Sequence, residues 1–320
     1  MMEMNYIVLD LEWNQSPDGK EGQTRHLPFE IIEIGAVKLD QNRKRAGKFH
    51  RLVKPQVYDE LHFKIQEVTG LDIEQLRREG ESFPKVIREF LEWCGPEEYR
   101  FCTWGPMDLT ELERNIAYYG LPQPFLRPLL YYDVQKLYSL EYGDGSSRMA
   151  LDLAAAEKGL AQEGAFHRAF NDACYTADIF EKIDLERFGV YVSVDYYLLP
   201  GKGEAYRLYF PEYSKYVSEE FETREELLKN KEMSDLVCLK CRRMLRKKIR
   251  WFSCGQRFYF AVGICPEHGY MRGKIRVKKS ERELYYGVKT IREAGEEELE
   301  QLIQKREDNK KKRKNLPKKS

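Results

Sequence analysis

The spacing of apolar side chains divides the first part of the chain into buried strands and amphipathic helices. Continuous or alternating apolar runs predict a strand over residues 6–12 and two more over 30–40 and 48–54. Residues 82–94 repeat their apolar positions with helical spacing after Ser82, a suitable N-cap. The same patterns predict a strand over 100–104, a helix over 107–119, a strand near 129–132, and helices over about 149–159 and 171–187. Strands followed by alternating helices and strands are typical of a three-layer α/β domain with a mixed sheet.

The charge of the chain changes sign after residue 237. Residues 1–237 carry 14 more acidic than basic side chains and residues 238–290 carry 12 more basic than acidic ones, although the net charge is only +1. We therefore predict an α/β domain over 1–190, a connector over 191–237, a small basic module over 238–290 and a charged tail over 291–320. The last sixteen residues contain few apolar side chains, so we expect the tail to be disordered.

The composition excludes several classes of protein. A hydrophobic fraction of 42% supports a packed core in a chain of 320 residues. No apolar run reaches the roughly eighteen residues of a membrane span, and the N-terminus lacks the charged and then apolar pattern of a signal peptide, so we expect a cytoplasmic protein. The cysteines Cys94, Cys102 and Cys174 are scattered and are interpreted as reduced core residues rather than parts of a disulfide framework.

Candidate catalytic residues occur in three separate segments. Asp10 and Glu12 lie two positions apart in the first predicted strand and so point to one face, but this pair alone fits a solvated strand end better. Asp108 follows a buried strand at the start of a helix, where an acid also favours the helix dipole. His167 and Asp172 lie five residues apart where a loop leads into a helix. Only the occurrence of all three segments in this order indicates a catalytic site.

These segments resemble the motifs of the DEDDh exonuclease superfamily. The resemblance extends over about residues 4–190 and is closest to the branch that contains the 3′ histone-mRNA exonuclease and a bacterial sporulation-kinase inhibitor. The matching segments are LDLE at 9–12, LPFEIIEIGAVKL at 27–39, EVTGL at 67–71, TWGPMD at 103–108 and HRAFNDA at 167–173. The resemblance implies an RNase H-like fold with a five-stranded mixed sheet and the hydrolysis of phosphodiester bonds at nucleic-acid 3′ ends.

The resemblance also implies the role of each residue. Two divalent ions about 3.5–4 Å apart stabilise the attacking and leaving oxygens of a phosphodiester, and hard carboxylate oxygens suit Mg²⁺ or Mn²⁺. By the family pattern, Asp10, Glu12, Asp108 and Asp172 are the metal ligands, with Asp10 as the bridge. His167 is then the general base, since the pKa of histidine lies near the operating pH.

Three further residues are candidates for contacts with the substrate. In the family, residues around the first motif hold the 3′-terminal nucleotide, so Leu11 and Trp13 are expected there and Trp104 in the same cleft. Aromatic rings can stack on any base, but core packing explains both tryptophans equally well. Many family members have threonine where this chain has Trp13, which leaves the substrate preference open, including RNA against DNA.

The basic module contains a candidate zinc site. Cys238 and Cys241 form one pair with a two-residue gap, and Cys265 and His268 form a second. Four soft or borderline ligands in two such pairs are typical of one structural zinc ion in a zinc-ribbon-like module. A rearranged site with Cys254 in place of His268 is the alternative.

Basic and apolar residues alternate on both sides of the second pair. The segments 242–252 and 272–282 would suit contacts with the phosphates of a single strand, or alternatively docking onto the acidic domain. Two rival functions remain beside the 3′→5′ exonuclease. One is a nuclease that clears short oligonucleotides, and the other is a regulatory protein-binding module on an exonuclease scaffold. The complete set of four acids and one histidine favours an enzyme.

Overall fold

The computed structural model describes residues 4–160 and 166–314, and the chain divides into two compact units with a boundary between Tyr197 and Leu198. The strands of the first unit are β1 (Asn5–Asn14), β2 (Glu30–Leu39), β3 (Arg45–Leu52), β4 (Tyr99–Thr103), β5 (Leu130–Asp133) and β6 (Ser193–Val194). They form one sheet in the order β3-β2-β1-β4-β5-β6. β1, β4 and β5 are parallel, and the other neighbouring pairs are antiparallel. The sheet is therefore mixed, as predicted, and the two-residue β6 extends the five expected strands to six.

Eight helices accompany this sheet in the described part of the first unit. They are α1 (Phe63–Thr69), α2 (Ile73–Glu79), α3 (Phe83–Cys94), α4 (Met107–Tyr118), α5 (Val134–Tyr142), α6 (Leu151–Glu157), α7 (Ala169–Lys182) and α8 (Leu185–Phe188). The helix α3 buries the face that the sequence predicted, including Phe83 and Phe90. Within residues 4–160 and 166–314, no helix has the length and apolar content needed to cross a lipid bilayer.

The alternation of β1 separates the core from the candidate site. Ile7, Leu9 and Leu11 point to one face and pack with side chains of α3 and α4. Each such buried aliphatic side chain contributes roughly 1.5–3 kcal/mol. Tyr6 points to the other face, where its ring lies 5.2 Å from that of Phe180 in α7. The residues of β1 in phase with Tyr6, which include the two candidate carboxylates, therefore face the α7 side of the sheet.

The second unit is built on an antiparallel sheet. Its strands are β7 (Ala205–Tyr209), β8 (Tyr213–Ser218), β9 (Arg246–Cys254), β10 (Phe258–Cys265), β11 (Gly269–Lys279) and β12 (Tyr285–Glu293), in the order β7-β8-β12-β11-β10-β9. The helices are α9 (Arg224–Lys229), α10 (Lys231–Ser234) and α11 (Glu296–Lys314). On one face, Leu227 and Met233 pack against Ile275. On the other face, Leu299 and Leu302 of α11 pack against the sheet.

The second unit differs from the predicted organisation in three respects. The predicted connector over 191–237 is not a connector beyond Tyr197, because β7 and β8 pair into the same sheet as the basic segments. The module over 238–290 is accordingly part of a larger antiparallel unit rather than a small zinc ribbon. The tail over 291–320 is ordered as far as it is described, since β12 reaches Glu293 and α11 follows. Residues 315–320 lie outside the described residues.

Candidate active site

The first two candidate carboxylates lie in the middle of the sheet of the first unit. Asp10 and Glu12 are both on β1 and share the face that α7 covers. In the antiparallel register with β2, Asp10 is opposite Gly35 and Glu12 is opposite Glu33. The strand geometry thus sets two acids side by side, with a glycine and a third acid on the neighbouring strand.

Gly35 allows α7 to approach these carboxylates. A Cβ atom at Gly35 would lie 2.2 Å from the carbonyl carbon of Ala169 and from the amide nitrogen of Phe170. No side chain larger than hydrogen therefore fits between β2 and the first turn of α7. This close approach brings Asp172, in the same first turn, over the strand pair that carries Asp10.

Asp108 reaches the site from α4. It lies in the first turn of this helix, is almost fully buried, and its Oδ1 accepts a hydrogen bond of 3.2 Å from the backbone N–H of Leu11. That bond fixes Asp108 to β1 between the two other carboxylates. The acid at the start of the helix therefore has a partner in the site as well as the helix dipole.

His167 and Asp172 are joined directly. The backbone N–H of His167 donates to Oδ2 of Asp172 at 3.1 Å, and His167 has a positive φ of 63° with an exposed side chain. One ligand atom each of Glu12, His167 and Asp172 lie within 4.8 Å of one another. The Oδ1 atom of Asp172 is buried and has no hydrogen-bond partner among the described residues. A buried acceptor without a donor, next to other carboxylates, fits a bound cation.

The electrostatics of the cluster point the same way. Burial, with repulsion from Asp108, Glu12 and Asp172, raises the pKa of Asp10 well above its usual range. Burial also raises the pKa of Glu12 to about 8, of Asp108 to about 7 and of Asp172 to about 6. Like charges held this close without counter-ions are costly, so the arrangement needs protons or cations to neutralise it.

Glu33 is a functional candidate that the sequence reasoning missed. Its carboxylate is fully buried and binds Arg168 through two guanidinium nitrogens, with Nε 3.1 Å from Oε2 and Nη2 3.0 Å from Oε1. It also accepts the backbone N–H of Ala169 at 3.3 Å, and Nε2 of His50 lies 2.6 Å from its Oε1. Burial raises its pKa, but the bonds from His50 and Arg168 outweigh burial and lower it overall.

Glu33 therefore ties β2 to the segment that carries His167. Arg168 follows His167 directly, and Ala169 begins α7. The signal in the sequence was a charged residue inside the apolar run of residues 30–37, where a buried strand tolerates an acid only with partners. No partner could be identified for it without the fold, because Arg168 is 135 residues away.

The predicted substrate contacts receive less support. The N–H of Leu11 already donates to Asp108, and its side chain is buried in the core. Trp13 packs on the same core, with its ring 5.8 Å from that of Phe29. The indole Nε1 of Trp104 donates to the carbonyl of Met149 at 3.2 Å. These contacts are those of packing residues.

The candidate zinc ligands converge in the second unit. The Sγ atoms of Cys241 and Cys265 are 3.7 Å apart, and Nδ1 of His268 lies 3.6 Å from Sγ of Cys238 and 3.5 Å from Sγ of Cys265. Zn–S bonds of about 2.3 Å and Zn–N bonds of about 2.0–2.1 Å place tetrahedral ligand atoms about 3.5–3.8 Å apart. The four atoms lie within 4.8 Å of one another and therefore fit one zinc ion. Cys254 is outside this set and packs in a different cluster.

Hydrogen bonding prepares one of these thiols as a ligand. Burial alone would raise the pKa of Cys265, but hydrogen bonds from Glu267 and His268 lower it to about 6. A thiolate is the form that binds zinc. Cys265 is therefore readily deprotonated to the form that a metal site requires.

Several solved structures are similar to part of this chain. A 3′-exonuclease described in 3′-end specific recognition of a histone mRNA stem-loop has a TM-score of 0.50 and 20% identity, over 61% of this chain and 86% of that chain. The nuclease domain of 3′hExo, a DEDDh family member bound to rAMP, has a TM-score of 0.49 and 20% identity, over 61% and 98%. The Mg²⁺- and Mn²⁺-bound form of S. pombe Pop2p has a TM-score of 0.43 and 20% identity, over 57% and 84%. The first of these likenesses shows a shared fold.

The family is shown by a sequence match. A family model described as Exonuclease matches residues 7–180, which is more than half of the chain. No curated protein matches the chain. The matched segment contains all five predicted catalytic residues, from Asp10 to Asp172. The chain therefore belongs to the DEDDh exonuclease superfamily, a family of nucleases that hydrolyse phosphodiester bonds.

Proposed function

We propose that this protein is a metal-dependent 3′→5′ exonuclease that removes nucleotides from the 3′ ends of single-stranded nucleic acid. The observation that carries the proposal is the cluster around Asp172, where a buried carboxylate oxygen has no donor among the described residues and lies with Glu12 and the exposed His167. A protein that only binds a partner has no need for repelling carboxylates in its interior. The regulatory alternative therefore finds no support in this cluster.

The residues of the cluster have complementary roles in the proposed reaction. Asp10, Glu12, Asp108 and Asp172 would hold two Mg²⁺ or Mn²⁺ ions. When bound, these ions supply positive charge to the attacking and leaving oxygens of the phosphodiester. His167 accepts a proton from the attacking water, since its exposed ring lies beside Glu12 and Asp172.

The geometry around His167 limits how its ring can move. Its backbone N–H is bound to Asp172, and the next residue, Arg168, is held by Glu33 on β2. The backbone of the base is thus tied to Asp172, a proposed ligand on α7, and the residue that follows it is tied to Glu33 on β2. Such positioning favours proton transfer because the base does not have to be ordered during the reaction.

We further propose one structural zinc ion in the second unit, held by Cys238, Cys241, Cys265 and His268. All four tetrahedral positions would be filled by protein atoms, which is typical of structural rather than catalytic zinc. The ion would join the loop before β9 to the turn between β10 and β11.

The test is a degradation assay with 5′-labelled RNA and DNA strands in Mg²⁺, Mn²⁺ or EDTA. We expect a ladder that shortens from the 3′ end, no products in EDTA, and no products from a strand blocked by a 3′-phosphate.

His167→Ala should lower kcat by about 10²–10⁴, and Asp10→Asn should leave a folded, inactive protein. The matched control is His26→Ala, which removes an exposed histidine outside the cluster. Cleavage that survives EDTA, or a His167→Ala protein as active as the His26→Ala protein, would refute the mechanism.

A further inference from the structure

The second unit contains a cavity of about 580 Å³ that the exonuclease chemistry does not use. It lies at β9, the edge strand of the sheet, between that strand, the beginning of α9 and the second half of α11. Asn309 of α11 closes one side by donating to the carbonyl of Ser253 at 3.2 Å. Its volume is in the range of about 300–1,000 Å³ that is usual for small-molecule sites.

The charge on the cavity wall is entirely positive. Arg224, Arg250, Arg306 and Lys310 line it, and no aspartate or glutamate among the described residues does. Lys310 has a counter-ion in Glu307 at 3.3 Å. Arg250 and Arg306 have no ion pair within the part of the chain that the structure describes. Arg224 donates a hydrogen bond to the carbonyl of Gln256, so Arg250 and Arg306 are the two cations free to bind an anion.

The same wall carries three aromatic side chains, Trp251, Phe252 and Tyr259. The indole of Trp251 is fixed by a hydrogen bond of 2.6 Å to the carbonyl of Ser234. The Arg224 guanidinium lies 5.1 Å from the ring centre of Tyr259. Rigid rings beside fixed cations are the combination with which proteins bind the bases and phosphates of single strands.

A second group of cations lies on the neighbouring strands and on α11. Lys274 and Arg276 of β11 lie 4.8 Å and 5.8 Å from the ring centre of Phe258. Lys305 of α11, one residue before Arg306, contributes to the repulsion that, after burial, lowers the pKa of Lys274. The positive surface therefore continues beyond the cavity, which suits a chain of phosphates rather than one isolated anion.

We infer that the cavity binds one nucleotide of a single-stranded nucleic acid, with the phosphate at Arg250 and Arg306 and the base against the aromatic side chains. The flanking phosphates lie along the cations around Lys274. This inference rests on the proposed function for its choice of a single strand as the partner. Its consequence is that the second unit retains long substrates, whereas short oligonucleotides gain little from it.

The direct test measures binding rather than cleavage. In the full-length chain with His167→Ala, which slows degradation, the affinity for a 5′-fluorescein oligonucleotide of twenty nucleotides is measured by anisotropy at several salt concentrations. Arg250→Ala with Arg306→Ala should weaken binding at least tenfold at low salt. It should also lower the slope of log Kd against log salt by about 0.7, because the two arginines contact one phosphate and each phosphate contact to a single strand contributes about 0.7.

The matched control removes the same charge from the same strand outside the cavity. Arg246 and Lys248 are exposed on β9 and do not line the cavity, so Arg246→Ala with Lys248→Ala should leave the slope unchanged. Lys310→Ala is a second, milder cavity variant that serves if the double variant fails to fold. Equal slopes in the cavity and control variants would overturn the inference. It would also be overturned if a free nucleoside monophosphate, at the same concentration as the strand, displaced the strand from the protein.

Cleavage assays with His167 intact separate this inference from the proposed function. We expect the cavity variant to raise KM for the long strand with kcat unchanged, and to leave the cleavage of a trinucleotide unaffected. Strong, cavity-dependent binding without any cleavage would refute the exonuclease and retain the binding site. If the protein cleaves the strand but the Arg250 and Arg306 variants change neither KM nor binding, the exonuclease is retained and the binding site is refuted.

Discussion

At the scale of single residues, the carboxylates of the candidate active site repel one another, and bound cations would reduce this repulsion. The pKa values of Asp10, Glu12, Asp108 and Asp172 are all raised in the folded state by burial and by repulsion from neighbouring carboxylates. Acids with raised pKa values bind protons more tightly in the folded than in the unfolded chain. Their contribution to stability is therefore most favourable below the ordinary carboxyl range and is lost as the pH rises towards about 8, where Glu12 titrates.

We accordingly predict that the protein without Mg²⁺ or Mn²⁺ becomes less stable between pH 5 and pH 8. The expected decrease in Tm is about 4 °C or more, the shift produced by roughly 1–2 kcal/mol in a domain of this size. Added Mn²⁺ should restore Tm at pH 8 and have little effect at pH 5. Differential scanning calorimetry with zinc retained measures both.

The matched variants are Asp10→Asn, which removes one of the repelling charges, and Asp59→Asn, whose side chain is 98% exposed. Only the first should flatten the dependence of Tm on pH. A metal-free protein that becomes more stable from pH 5 to pH 8 would contradict this prediction. It would mean that the four ionised acids are paired with positive charges other than those seen around them here.

At the scale of elements, the sequence predicted the main strands of the first unit closely but missed α1, α2 and α5, and it predicted the second unit poorly. The strand β2 and the helix α3 begin and end within one residue of the predicted limits, because a buried strand and an amphipathic helix differ in their apolar period. The helix α11 was mistaken for a disordered tail. Among its described side chains only Leu299 and Leu302 are buried, and its composition is otherwise that of a solvated segment.

The same limit applies to the candidate site. The five catalytic candidates could be predicted because their order along the chain is itself a pattern. Glu33 could not, because its significance depends on the register of β1 with β2 and on the ion pair with Arg168. The strands β7 and β8 were likewise not assigned to a sheet, because β8 joins β7 to β12, which is far along the chain.

The link between β2 and α7 gives a prediction at this scale. Arg168→Lys keeps the charge but loses the two parallel hydrogen bonds to Glu33, so it should loosen the segment that carries His167. We expect kcat to fall by about 10–10², because a misplacement of about 1 Å can have an effect of that size. KM should change less than twofold, since the phosphate contacts remain.

The control for this variant is Arg45→Ala. Arg45 also joins the sheet to α7, through its ion pair with Asp178, but this contact is exposed and far from the carboxylates along the helix. Exposed pairs contribute about 0–1 kcal/mol, so kcat should not change. Equal losses of kcat in the two variants would mean that both links between the sheet and α7 matter equally for catalysis. Glu33 would then have no particular role in positioning His167.

At the scale of the whole molecule, the two units divide both charge and metal chemistry between them. Residues 1–197 carry 11 more acidic than basic side chains, and residues 198–320 carry 12 more basic than acidic ones. The first unit provides hard carboxylate ligands and the second provides thiolates and an imidazole. The two sites should therefore select different ions, since ligand softness governs which divalent ion binds.

We predict that the full chain purifies with one zinc ion and that this ion does not take part in cleavage. Cys241→Ser should remove the zinc and lower the Tm of the second unit, because the free energy of binding structural zinc is also free energy of folding. The kcat for a trinucleotide should stay unchanged, since every candidate for the chemistry lies in the first unit.

Cys254→Ser is the matched control and should keep its zinc, because Cys254 lies at the end of β9 opposite Phe258 and outside the ligand set. Elemental analysis of both variants decides between the two cysteines: zinc retained by Cys241→Ser and lost by Cys254→Ser would transfer the ligand role to Cys254. A further test removes the metals with a chelator and then adds back Mg²⁺ or Mn²⁺ alone. If cleavage returns, the catalytic ions and the structural ion are independent.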